Sequence, residues 1–168
     1  MKNQITIIAF SLFIIASCGK KNQATQSNNS SQSSTVTDID GNVYPTITIG
    51  TQTWMAKNLN VTKYRTGEII PHVTDLNQWE TQTTPAYCNY DNLETNSILN
   101  GKLYNWYAIK DGKNIAPVGW HVANQNDWLI LSAYLGGSQV AGKRLKEAGT
   151  AHWIAPNTGT NDVGFNGL

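Results

Sequence analysis

The side chains with the reach for chemistry are few and scattered. The three histidines, His72, His121 and His152, lie far apart, without the short spacing that lets one helix or loop present two imidazoles to a metal ion. Two cysteines are present, Cys18 and Cys88. A reactive thiolate needs a cationic or imidazole neighbour, and the sequence shows none for Cys88, so it reads as a small buried hydrophobe. His121 lies between Trp120 and Val122. With no carboxylate in view to orient the ring, it reads as a satisfied structural histidine rather than a general base. His152 beside Trp153 suits stacking on a ligand and suits a loop anchor equally well.

The carboxylates are no more eloquent. A glycosidase needs two of them about 5–9.5 Å apart, and no pair stands out among Asp75, Glu80, Asp91 and Asp127. The run Asp38-Ile39-Asp40-Gly41-Asn42 has the residue types of a calcium loop but the wrong offsets and no terminal Glu, so turn chemistry is expected there. Lys143, Arg144 and Lys146 form a basic cluster that reads as a solvated helix face. No P-loop, glycine-rich dinucleotide turn or paired cysteine motif occurs. A formal net charge of +1 gives no basic face for nucleic acid. No catalytic residue, metal ligand or cofactor is expected.

The elements that must position these residues are better defined. Residues 116–137 carry the clearest instructions: Asn124 at an N-cap position, Asp127 in the first turn, Trp128, Leu131 and Leu135 at helical spacing, and a Gly136-Gly137 stop. They predict a helix over 124–135, with Trp120 and Trp128 as core anchors. Ser138 is expected to cap a second helix over 139–148, ended by Gly149. Residues 43–49 alternate and, with a turn at 50–52 and an apolar return at 53–56, predict a hairpin. Short strands are expected at 61–64, 68–71 and 85–90, a loop or single helical turn carrying Trp79 at 75–84, and a loop at 93–100. A short helix is expected at 101–109, with an aromatic strand as its alternative. Trp153 reads as a loop anchor, and Phe165 as the start of a strand.

The N-terminus is of another kind. Lys2 precedes a mostly apolar run at 5–16, shorter than the about 20 residues a membrane span needs, and the run ends Ile15-Ala16-Ser17-Cys18. This resembles a bacterial lipoprotein signal, whose cysteine is lipidated and becomes the new N-terminus. Each buried acyl methylene contributes about 0.8 kcal/mol, so several chains on Cys18 would anchor stably. Residues 19–37 are rich in Ser, Asn, Gln, Thr and Lys and read as a disordered polar linker, leaving 38–168 as the folded domain.

That domain resembles the Fibrobacter succinogenes major paralogous domain, a family of envelope and secreted proteins common in Bacteroidetes. The residues that carry the resemblance are D-I-D-G-N-V-Y at 38–44, I-G-T-Q-T-W-M-A-K-N-L at 49–59, A-Y-C-N-Y-D-N at 86–92, G-K-L-Y-N-W-Y-A at 101–108 and P-V-G-W-H-V at 117–122. Y-L-G-G at 134–137, A-G-K-R-L-K at 141–146 and G-F-N-G-L at 164–168 continue the series. The family's sequences run on past this last piece, so the chain is read as C-terminally truncated. The resemblance implies an α+β fold, C-type-lectin-like and related to sulfatase-modifying factors. It would have short antiparallel strands, two to three short helices and long loops, and be incomplete at the C-terminus. Neither calcium-dependent sugar tripeptide of C-type lectins is present. Thr160-Asn161-Asp162 is similar to one but lacks its Trp, and reads as an Asx-type turn. No cysteine follows Cys88, which counts against sulfatase-modifying chemistry.

The function expected from all this is a lipid-anchored cell-envelope protein, attached to the membrane through Cys18 with the periplasmic face favoured. It would carry a non-catalytic lectin-like binding or structural module for a glycan or an envelope protein. The alternatives are an enzyme acting on envelope polysaccharide and a non-functional fragment.

Overall fold

The computed structural model describes residues 34–168. Cys18, the expected lipoprotein signal and residues 19–33 of the expected linker lie outside the described residues. Among the described residues two small antiparallel sheets and five α-helices make up an α+β fold. In the first sheet β1 (Thr35–Thr37), β2 (Val43–Ile49) and β3 (Gln52–Met55) follow one another as neighbours. The second sheet pairs β4 (Tyr87–Asn89) with β5 (Lys102–Tyr104). The helices are α1 (Leu76–Thr81), α2 (Glu94–Asn100), α3 (Trp106–Lys110), α4 (Gln125–Tyr134) and α5 (Ser138–Leu145).

The β2–β3 hairpin organises the interior. Ile49 pairs with Gln52, so two residues, Gly50 and Thr51, make the turn. Tyr44 and Met55 enter a first core with Leu59, Val61, Tyr64, Ile70, Tyr87, Tyr104 and Ile115. Ile49 and Trp54 enter a second, with Leu131 and Leu135 of α4, Ala141 of α5 and Phe165. Trp54, 1% exposed, has its ring 5.2 Å from that of Trp128 and 5.8 Å, edge on, from that of Phe165. Truncating a tryptophan so packed typically costs about 3–5 kcal/mol. Trp120 packs against the first core and Trp128 against the second, as expected.

Several elements differ from their sequence reading. The expected linker over 19–37 extends too far, because Thr35–Thr37 pairs with residues 43–45 as β1. Residues 101–109 divide into a strand and a helix. Lys102–Tyr104 pairs with Tyr87–Asn89, and Asn105 then caps α3 by accepting from the Ala108 amide. Residues 93–100, expected as a loop, contain α2. Its polar sequence hides it, and the stabilising contacts are tertiary: the Glu94 side chain accepts from Asn89 and from Lys102. Ser138 is the first residue of α5, not its cap; the N-cap is Gly137 at φ 96°, and the helix ends at Leu145 rather than 148. Residues 61–64 and 68–71 meet through one bridge, Lys63 to Ile69, instead of forming strands. The helices therefore exceed the two to three expected.

Gly101 shows how tightly the second sheet is set. Its φ is 65°, and a Cβ there would lie 2.5 Å from the Leu59 carbonyl oxygen and 2.8 Å from the Asn58 Cβ. Gly149, at φ 82°, faces open space. Gly149→Ala is expected to cost about 1 kcal/mol from left-handed backbone alone, and Gly101→Ala about 2–4 kcal/mol because packing adds to it. Denaturant unfolding of both variants measures the difference, and equal losses would contradict the close approach.

Candidate binding cleft

The turn Asp38-Ile39-Asp40-Gly41-Asn42 is a hydrogen-bonded knot. Asp38 Oδ1 accepts from the backbone N–H groups of Asp40 and Asn42, each at 2.9 Å. Its Oδ2 accepts from Asn42 Nδ2 at 2.8 Å and from the Tyr44 hydroxyl at 2.5 Å. Burial, reinforced by the Asp38 carboxylate, pushes the Tyr44 phenol well above its ordinary range, so its O–H is a fixed donor. The Tyr44 oxygen in turn accepts the Asn60 N–H at 3.0 Å. Asp40 reaches the same loop: its Oδ2 accepts from the amide and hydroxyl of Thr62, and Oδ1 lies 2.9 Å from the Lys63 ammonium. The turn reading of this motif stands, since four donors saturate Asp38. No group of three or more potential metal-ligating side chains occurs among the described residues.

Arg65 continues from that loop. Its Nε and Nη2 donate to the Ala116 carbonyl at 3.0 and 2.8 Å, and Nη2 also reaches the carbonyls of Pro117 at 2.7 Å and Trp120 at 2.9 Å. Its backbone N–H donates to Asn114 O at 2.8 Å. The planar fork of arginine suits this task better than a lysine point charge. Among the described residues Arg65 forms no ion pair, and its Nη1 takes part in no hydrogen bond.

The knot and the clamp face each other across a cleft of about 270 Å³. One wall is Thr37, Asp38 and Ile39, the other is residues 115–118, and Arg65 completes the lining. Ile39 is 46% exposed and Val118 80%, so the cleft has an apolar rim. Sequence reasoning passed over Arg65. The available signal was its type: of twelve basic residues, Arg65 and Arg144 alone are arginine, and both act as forks on oxygen acceptors.

The residues singled out from sequence fall elsewhere. His121 does have a fixed carboxylate: its Nε2 lies 2.9 Å from Asp127 Oδ2, which corrects the expectation that no partner orients it. The cause is the α4 capping box, where Asn124 accepts from the Asp127 amide and Asp127 Oδ2 accepts the Asn124 N–H at 2.9 Å. The carboxylate is thus shared between a cap and an imidazole six residues earlier, and the pair fixes the entry of α4. His152 Nδ1 meets Glu147 at 2.9 and 3.0 Å. His72 stacks on Tyr87, ring centroids 4.7 Å apart. Cys88 is buried, as read. Asp75 caps α1. Asp162 of the Thr160-Asn161-Asp162 turn accepts from Arg144 at 2.9 Å, while Lys146 lies 3.7 Å over the Trp153 ring. Two members of the expected solvated basic face therefore tie α5 to the segment that follows it, because each finds a carboxylate or an aromatic face there.

The family model described as the Fibrobacter succinogenes major domain matches residues 47–168. The chain belongs to this family. No curated protein and no solved structure matches it. The matched span of the Fibrobacter succinogenes major domain begins inside β2 and takes in both helices of the second core, Arg65 and residues 115–118. The other cleft wall, 37–39, precedes it. No helix of the described residues is long and apolar enough to cross a membrane.

Asp40 gives the cleft margin a pH signature. Burial would raise its carboxyl, but the Thr62 amide and hydroxyl and the Lys63 ammonium outweigh that and hold it below the ordinary aspartate range. A folded pKa below the unfolded value of about 3.9 means the stabilisation is present above that pH and is lost as pH falls through the folded value. Thermal melts across the acid range are expected to show less loss of stability below about pH 4 for Asp40→Asn than for the wild-type chain. Superimposable acid limbs would contradict this assignment.

Proposed function

We propose that this chain is a lipid-anchored cell-envelope protein whose Fibrobacter succinogenes major domain is a non-catalytic, C-type-lectin-like binding module for a glycan or an envelope protein. In this reading Cys18 carries the acyl chains, residues after it tether the domain, and the periplasmic face of the membrane is favoured over the exterior. The observation that supports the module is the cleft between 37–39 and 115–118: apolar side chains on both walls with a cation beside them suit binding by apolar contact and charge-assisted hydrogen bonding. The enzyme alternative finds less support at this cleft. Asp38 supplies its carboxylate, and with four hydrogen bonds already accepted, that group is poorly placed to transfer a proton.

One experiment on cells of the native host addresses both halves of the reading. Radiolabelled palmitate is expected to enter the wild-type protein and not Cys18→Ser, and the labelled protein is expected to be retained on at least one immobilised envelope polysaccharide. Labelling of the serine variant would refute the anchor. Failure of retention on every polysaccharide, acidic and neutral, would refute glycan binding.

A further inference from the structure

We infer that the cleft binds an acidic sugar, a hexuronate residue within a polysaccharide, with its carboxylate taken by Arg65. The inference rests on the glycan-binding reading and names the class of glycan.

Charge comes first. A guanidinium withdrawn from bulk water is usually matched by a carboxylate, because desolvation of an unmatched cation is costly. The chain's other arginine follows that rule, with Arg144 Nε 2.9 Å from Asp162. Arg65 is half-buried and has carbonyl oxygens as its acceptors. Carbonyl dipoles orient the group without neutralising it. Asp38 shares the lining and is likewise held by neutral donors, so it keeps its own charge, but both its oxygens are turned to its own turn and to Tyr44 and neither pairs with Arg65. A cation held in fixed geometry, with Nη1 uncommitted among the described residues, is a preformed receptor for one carboxylate oxygen.

Size and lining come second. The volume of about 270 Å³ falls just below the range of about 300–1,000 Å³ typical of pockets for drug-sized ligands, so it takes one sugar unit rather than a folded partner. Ile39, Pro117 and Val118 offer apolar contact to the C–H face of a pyranose ring. A free inorganic anion would leave that surface uncovered. The carbonyls fix the guanidinium before ligand arrives, so little ordering remains to oppose binding.

Arg65 also holds residues 116–120, and its replacement could unfold the loop. Val118, 80% exposed at the rim, is the better place to intervene. The full chain, purified in neutral detergent, is run in gels containing polygalacturonate, in gels containing the same polymer with its carboxyls reduced to hydroxymethyl groups, and in polymer-free gels. Retardation by polygalacturonate but not by the reduced polymer is expected. Val118→Asp is expected to weaken it at least about tenfold through like-charge repulsion, and Val118→Lys to strengthen it. Lys143→Glu, on the exposed face of α5, is expected to leave it unchanged. Equal retardation by both polymers, an unaffected Val118→Asp, or an equal loss in Lys143→Glu would overturn the acidic-sugar site while leaving a glycan module possible. No retardation by either polymer would overturn the site and count against the module as well.

Discussion

The guanidinium of Arg65 grips the carbonyls of Ala116, Pro117 and Trp120, and much of the structure depends on that grip. Residues 116–120 contain a proline and a glycine and have no sheet partner, so their carbonyls need another source of hydrogen bonds. Arg65 supplies four from one side chain, to three carbonyls. It thereby joins the first core, where its neighbour Tyr64 is 1% exposed, to the segment that leads into the capping box of α4. The same contact leaves a positive charge at the edge of a cleft. Structure and candidate function share one interaction.

Two cores in a domain of this size invite independent motion, and the β2–β3 hairpin opposes it. The two faces of one strand pair serve the two clusters: Tyr44 and Met55 in one, Ile49 and Trp54 in the other. Gln52 adds a polar rivet, its Nε2 donating to the Asp127 carbonyl at 3.1 Å from a buried site. The Asp38 knot then fastens β1 and β2 to residues 60–62 through Tyr44 and Asp40. One cleft wall grows from the knot and the other from the Arg65 grip, so neither wall is a free loop.

What could be read from the sequence follows the range of the interaction. Local signals were legible: the alternation of 43–49, the Asn124–Asp127 cap, and the Trp128, Leu131, Leu135 face all specify their elements within a few residues. Elements held by distant partners were not. Lys102–Tyr104 looks helical by spacing and becomes a strand because β4 is there to pair with it. α2 carries a polar sequence and owes its place to the Glu94 contacts with Asn89 and the buried Lys102. The His121–Asp127 pair is not legible locally, because the cap already accounts for Asp127 and only the fold brings the imidazole onto the same Oδ2. The cleft was invisible for the same reason, since it assembles residues 37–39, 65 and 115–118 from three separate segments.

Side-chain NMR of the Arg65 guanidinium during titration with oligogalacturonate shows whether it receives a carboxylate. A saturable change is expected at the Arg65 Nη1 protons, with the Nε proton, already committed to Ala116, nearly still. Saturable changes elsewhere on the domain with an unmoved Arg65 guanidinium would contradict it.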